Sequence, residues 1–140
     1  MERKFMIITD GNADLPMQYK KKHEIDIMLM GYSLDGTEYL TSQNPESLSE
    51  KEFYARMRAG SITKTMALEP KIISRTMERY LEQNMDVIYI TFSSGLSSTY
   101  NNGRLVAEDL KENYPDSKIY VVDSLSASLG QGLLVNSAVT

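Results

Sequence analysis

Short apolar runs alternate along this chain with stretches whose apolar residues recur at helical spacing. Phe5-Met6-Ile7-Ile8 is continuously apolar, as a strand covered on both faces requires, and it ends in the polar Thr9-Asp10-Gly11-Asn12. Asp14 followed by Pro16 predicts a helix start, since a carboxylate caps free amides and proline fits a first turn; that helix is expected to run to about Lys22. Ile25 to Met30 forms a second apolar run, and Tyr32 to Tyr39 reads as a hairpin turning at Asp35-Gly36. Two overlapping capping boxes, Ser47 with Glu50 and Ser49 with Glu52, announce a helix that carries Phe53, Tyr54 and Met57 and stops near Gly60. Ser61 to Glu69 shows no period and reads as a loop. Pro70 then opens a helix with Ile73, Met77, Tyr80 and Leu81 on one face and a stop at Asn84. A strand from Asp86 to Thr91, a helix marked by Leu105, Val106 and Leu110 and ending before Pro115, and a strand from Lys118 to Val122 complete the pattern.

Alternation of strands and helices predicts an α/β fold: a mainly parallel sheet with helices on both faces. In such sheets ligands bind beyond the carboxyl ends of the strands. Three of those ends carry polar loops here, Thr9-Asp10, Thr91 to Thr99 and Asp123-Ser124, and parallel strands would gather them on one edge.

Composition narrows the picture. The 140 residues, 41% of them hydrophobic, suit a single α/β domain spanning 1–140 with a real core. With 15 basic and 19 acidic side chains the net charge is −4, and no run of like charge stands out, which counts against a nucleic acid partner. The absence of cysteine excludes disulfides and thiolate metal sites and is compatible with a reducing compartment. Met1-Glu2-Arg3-Lys4 and the brief apolar run after it are too short for a signal peptide or a membrane span, so a cytoplasmic protein without stable membrane insertion is expected. At the other end, Gly132 to Thr140 reads as the first turns of an apolar helix with no stop signal, the pattern of a piece of a longer protein.

The segment Thr91 to Tyr100 holds the candidate chemistry, with six serine or threonine hydroxyls: Thr91, Ser93, Ser94, Ser97, Ser98 and Thr99. Helix capping by Ser97 or Ser98 and turn formation by Ser93 and Ser94 would use some of them. The surplus, ahead of a helix N-terminus, suits an anion. Asp10 is either a turn-forming carboxylate or a group lining the same site, and Thr63, Lys64 and Thr65 form a loop able to complete it. No base adjoins the hydroxyls. His23, the only histidine, lies in the basic helix end Lys20 to Glu24, so binding is favoured over catalysis and no metal or cofactor is called for. The alternative is a hydrolase or phosphoryl-transfer domain with Asp10 or Ser94 as nucleophile; a third reading is an interaction module using the Tyr32 to Tyr39 hairpin.

Three ordered motifs carry a family resemblance that spans the chain. Ile7 to Pro16, Ser93-Ser94-Gly95-Leu96-Ser97-Ser98-Thr99-Tyr100, and Val122-Asp123-Ser124 with Gly130-Gln131-Gly132 resemble the signatures of DegV-family proteins, bacterial fatty-acid-binding proteins that present acyl chains to a fatty acid kinase. The resemblance implies the first of two domains, a long-chain fatty acid as ligand rather than a cofactor, and a fatty acid kinase subunit as partner. It places the carboxylate-binding hydroxyls at Thr65 and at Ser93 or Ser94, with Ser94 the first choice, and makes Asp10, Ser97 and Ser124 lining residues. This chain departs from the family where Thr65-Met66-Ala67 replaces a Thr-Ser-Gln loop and where Ser98 replaces a glycine. Gly11 and Asn12 stand where serine and threonine are common, and Leu29 where a proline often precedes the hairpin. These departures bear on head-group chemistry and ligand choice.

Overall fold

A computed structural model describes residues 4–40 and 47–140. Met1 to Arg3, part of the N-terminal reading above, lie outside the described residues. Four strands, β1 (Phe5–Asp10), β2 (Asp26–Met28), β6 (Asp86–Thr91) and β7 (Ile119–Asp123), form a wholly parallel sheet in the order β2-β1-β6-β7. Register sets Asp10 beside Met28 and Thr91 beside Asp123, so the three polar strand ends share one edge as expected. The order reverses at β1, whose neighbours are β2 on one side and β6 on the other. A crevice between strand ends opens at such a reversal.

Alternation along the strands divides the core in two. Ile8, Val87, Tyr89 and Ile119 point to one face, where they meet Ile73, Met77 and Leu81 of α3 (Pro70–Leu81) and Val106 and Leu110 of α4 (Thr99–Asn113). Ile7, Ile27 and Ile90 point to the other, where Val135 of α5 (Ser128–Val139) covers them, joined by Tyr19 of α1 (Met17–His23). Helices therefore cover both faces. Each fully buried aliphatic side chain contributes about 1.5–3 kcal/mol by leaving water. Close packing also explains two glycines. A side chain on Gly103 would press within 3.1 Å of the Tyr89 ring, and one on Gly132 within 3.0 Å of the Ala13 carbonyl.

Outside this sheet, β3 (Gly31–Leu34) and β4 (Thr37–Leu40) form the expected antiparallel hairpin, with Asp35 and Gly36 both at positive φ. Helix α2 (Glu50–Arg58) follows, and Ser49 accepts the Glu52 amide at 3.2 Å, as its capping box predicts. The Ser47 hydroxyl instead donates to the Leu40 carbonyl. Phe53 packs edge-on against Tyr32 at 5.1 Å, which ties α2 to the hairpin.

Three sequence expectations need correction. The supposed loop Ser61 to Glu69 contains a strand, β5 (Thr63–Thr65), which pairs antiparallel with β3 and makes a second, three-stranded sheet. Three residues are too few to display a period of two, and the strand exists through its distant partner. Asp14 does not cap α1: it sits at φ 49° and closes a single 3-10 turn over Gly11–Ala13, while Pro16, which lacks an N–H, occupies the cap position. The last helix starts at Ser128, before the two glycines, and Gly132 lies inside it where α5 approaches the turn at Ala13.

Met77 is fully buried on α3, whereas Ile72 on the same helix is 43% exposed. Met77→Ala is expected to lower stability by about 2–5 kcal/mol. Ile72→Ala should stay within about 0.5 kcal/mol, both read from denaturant midpoints at unchanged slope.

Candidate functional site

The site edge is organised from beneath by Asp10. Although it ends a strand, Asp10 is fully buried, so its carboxylate takes hydrogen bonds from the protein in place of water. One oxygen accepts the Asn12 amide at 3.2 Å and Gln131 Nε2 at 3.1 Å; the other accepts the Phe92 amide at 3.0 Å and the Tyr89 hydroxyl at 3.1 Å. Burial pushes the Asp10 carboxyl above the ordinary range, and the donors from Phe92, Gln131, Tyr89 and Asn12 pull back against it. Burial and the neighbouring carboxylate push Tyr89 well above its usual range, which keeps its hydroxyl a donor. Thr9 joins the network, donating to the Ile90 carbonyl at 2.9 Å and accepting Gln131 Nε2 at 3.0 Å. Asp10 therefore supports the loop and does not face outward from it.

Above Asp10 the chain leaves β6 and folds back on itself. The Ser93 amide donates to the Ser126 carbonyl at 3.0 Å, while the Ser93 carbonyl accepts the amides of Leu96 and Ser97. The buried Ser93 Oγ accepts the Gly95 amide at 3.2 Å, a bond that leaves its own proton available. Ser94 differs. It is exposed, its amide donates to Asp123 Oδ1 at 3.1 Å, and its hydroxyl donates to the same carboxylate. Partial burial alone would raise the Asp123 carboxyl, but the Ser94 hydroxyl and the amides of Leu125 and Ser94 outweigh it and hold the group below the ordinary range.

The remaining hydroxyls largely shape the loop. Ser97 Oγ accepts the Thr99 amide at 3.1 Å and lies 2.9 Å from Thr99 Oγ1, whereas Ser98, at the cap position of α4, makes no side-chain cap bond. Ser124 Oγ donates to the Ser126 carbonyl at 3.1 Å and accepts the Ser126 amide at 3.2 Å, so that its hydroxyl closes a local turn. Thr65 comes from the second sheet, paired with Tyr32, and is exposed. Three residues on, the Leu68 amide donates to Thr99 Oγ1 at 3.2 Å and its carbonyl accepts Asn102 Nδ2 at 3.0 Å. Three residues span at most about 11 Å, which bounds how far Thr65 stands from the start of α4.

Ser93, Ser94, Ser97 and Ser124 thus share one edge, with Thr65 brought toward it and Asp10 underneath. Sequence reasoning assigned no role of its own to Gln131, which it named only within the Gly130-Gln131-Gly132 motif, and did not single out Asn102. Among the described residues no group of three or more histidine, aspartate or glutamate side chains is placed to hold a metal, and no helix is long and apolar enough to cross a membrane.

Fold and edge together define a doubly wound α/β domain with a hydroxyl- and amide-rich loop at its topological switch point. The chain belongs to the DegV family: the family model described as "Uncharacterised protein, DegV family" matches residues 4–140. A DegV domain-containing protein of Clostridium perfringens (strain 13 / Type A) is 39% identical over 133 residues, covering 95% of this chain and 45% of that protein. A protein of Thermotoga maritima named fatty acid-binding protein is 35% identical, with 89% of this chain and 42% of that protein covered. Among solved structures, a stearic acid-binding protein of Eubacterium ventriosum superposes with a TM-score of 0.86 at 28% identity, over 96% of this chain and 46% of that one. The chain therefore spans about half the length of these relatives.

Asp123, held below the ordinary range, steadies the loop at neutral pH, and that contribution is lost as pH falls through its lowered folded-state value. The Ser94 and Leu125 amide resonances are expected to titrate together in that window, and Asp123→Asn to abolish the inflection. An inflection at or above the ordinary aspartate value would contradict the assigned bonding.

Proposed function

We propose that this chain binds a long-chain fatty acid, with the carboxylate held by the hydroxyls of Thr65, Ser93 and Ser94 at the switch-point edge. The observation that carries the reading is the Ser93-Ser94 loop itself, rigidly hydrogen-bonded and set above a buried carboxylate, in a family whose relatives include proteins described as binding fatty acids. A charge-assisted hydrogen bond to the carboxylate is worth about 1.5–3 kcal/mol. Each methylene removed from water adds about 0.8 kcal/mol, so a chain of about sixteen carbons gains on the order of 10 kcal/mol before ordering costs. Tail burial supplies affinity, and the hydroxyls supply orientation.

Such a protein is a carrier and not an enzyme. Asp10 is buried with both oxygens engaged, which argues against it as a nucleophile; the carboxylate beside Ser94, Asp123, is held below the ordinary range by its own donors, which makes it a weak base for activating that hydroxyl. The carrier works in the cytoplasm, handing the head group to a fatty acid kinase subunit that phosphorylates it. Exposed Leu96, Leu125, Leu129 and Leu133 near the same edge and on α5 form one wall of the tail groove, and a second domain beyond this chain forms the other.

Ser93→Ala, Ser94→Ala and Thr65→Ala are each expected to weaken binding of a sixteen-carbon fatty acid by about tenfold or more. Binding of the alcohol of equal length should be unaffected, as read by calorimetry. Equal losses for acid and alcohol would sink the head-group assignment. A long two-domain protein containing this sequence should bind the acid far more tightly than the 140-residue chain; equal, tight binding by both would remove the need for a second wall. In the presence of ATP and a fatty acid kinase, acyl phosphate should form only when the carrier is added.

A further inference from the structure

Asp10 has a part in binding that its burial conceals. Beyond Thr91 the regular ladder with β7 ends, and the next peptide, Phe92, has no strand partner to hold it. Its amide instead donates across the switch point to Asp10 Oδ2 at 3.0 Å. Rotation at that peptide would carry Ser93 and Ser94 with it, because the Ser93 carbonyl and hydroxyl anchor the following turn. We infer that Asp10, braced by Gln131 of α5, is a positioning residue that fixes the peptide entering the serine loop and so sets the direction of the head-group hydroxyls. This inference rests on reading that loop as a carboxylate site.

Gln131 supplies the independent observation. It is fully buried, and its Nε2 is shared among Thr9 Oγ1 at 3.0 Å, Asp10 Oδ1 at 3.1 Å and the Ile90 carbonyl at 3.4 Å. Its Oε1 has no hydrogen-bond partner. An unsatisfied buried acceptor is costly, and a leucine or methionine of similar volume would avoid that cost. The amide is oriented wholly toward donation. Reversing it would set Oε1 against the Asp10 carboxylate, so the carboxylate dictates the orientation. Gly132 lets α5 come close enough for this reach, its absent side chain leaving room for the Ala13 carbonyl. The loop thus takes its position from α5 as well as from the sheet.

The test uses Asp10→Asn, nearly isosteric, in the 140-residue chain, with backbone amide spectra and palmitate titration. In Asp10→Asn the new NH2 group faces donors on either side, the Phe92 amide on one and the Asn12 amide with Gln131 Nε2 on the other. The Phe92, Ser93 and Ser94 amides should shift, and palmitate affinity should fall by about tenfold. Hexadecanol binding should stay unchanged. Unchanged Phe92–Ser94 amides and affinity in folded Asp10→Asn would overturn the inference. If Asp10→Asn does not fold, Gln131→Met takes its place, with the same amides expected to shift and palmitate affinity to fall severalfold; no change in either overturns the inference. If the unaltered chain binds hexadecanol and palmitate equally well, the carboxylate-site reading fails, while the amide shifts still decide whether Asp10 positions the loop.

Discussion

A carboxylate taken out of water must find hydrogen-bond donors inside the protein, and Asp10 finds them on separate segments. An unpaired buried charge costs several kcal/mol, so the fold is most stable only when Asn12, Tyr89, Phe92 and Gln131 all converge. The first comes from the turn after β1, the next two from β6 and its exit, and the last from α5. One side chain thereby sets the relation between the two central strands, the loop that follows them and the helix that covers them. Apolar packing alone would leave that relation loose, since burial of surface is indifferent to direction.

That convergence explains why the exposed edge is both polar and ordered. Hydroxyl-rich loops lose conformational freedom only at a cost of about 1–2 kcal/mol per residue. Here the cost is offset by bonds from below through Phe92, from the side through Ser126 and Asp123, and from the second sheet through Leu68 to Thr99. The small sheet is more than an appendage, because it delivers Thr65 from a strand whose place is set by β3.

Much of this was legible in the residues. The parallel sheet follows from apolar runs separated by amphipathic helices, and the common edge follows from the sheet. The Pro70 helix and the Asp35-Gly36 hairpin were readable because each is specified locally, by a first-turn proline and by a two-residue turn. Strand β5 was not, since Thr63–Thr65 owes its extension to pairing with residues about thirty positions earlier. Nor was the inward direction of Asp10: a polar residue at a strand end reads equally as a ligand or as a support, and only its packing separates them. Gln131 was hidden for the same reason, because its partners Thr9 and Asp10 lie more than a hundred residues away.

The two adjacent serines are chemically unequal, and this bears on how an anion would be received. Ser93 is a hydrogen-bond acceptor inside its own turn and retains a proton to give. Ser94 has both its amide and its hydroxyl directed to Asp123. A carboxylate approaching Ser94 meets another carboxylate already holding the donor, and two like charges sharing one donor repel. On the proposed reading, Ser93 and Thr65 make the first contact with the carboxylate. Met66 stands beside Thr65 with its methyl group filling the space that a side chain on Gly31 would need, so the neighbour of the third hydroxyl is apolar. On the proposed reading, a thioether there offers a head group fewer donors on that side than a hydroxyl would, which moves the balance of recognition toward Ser93 and toward the tail.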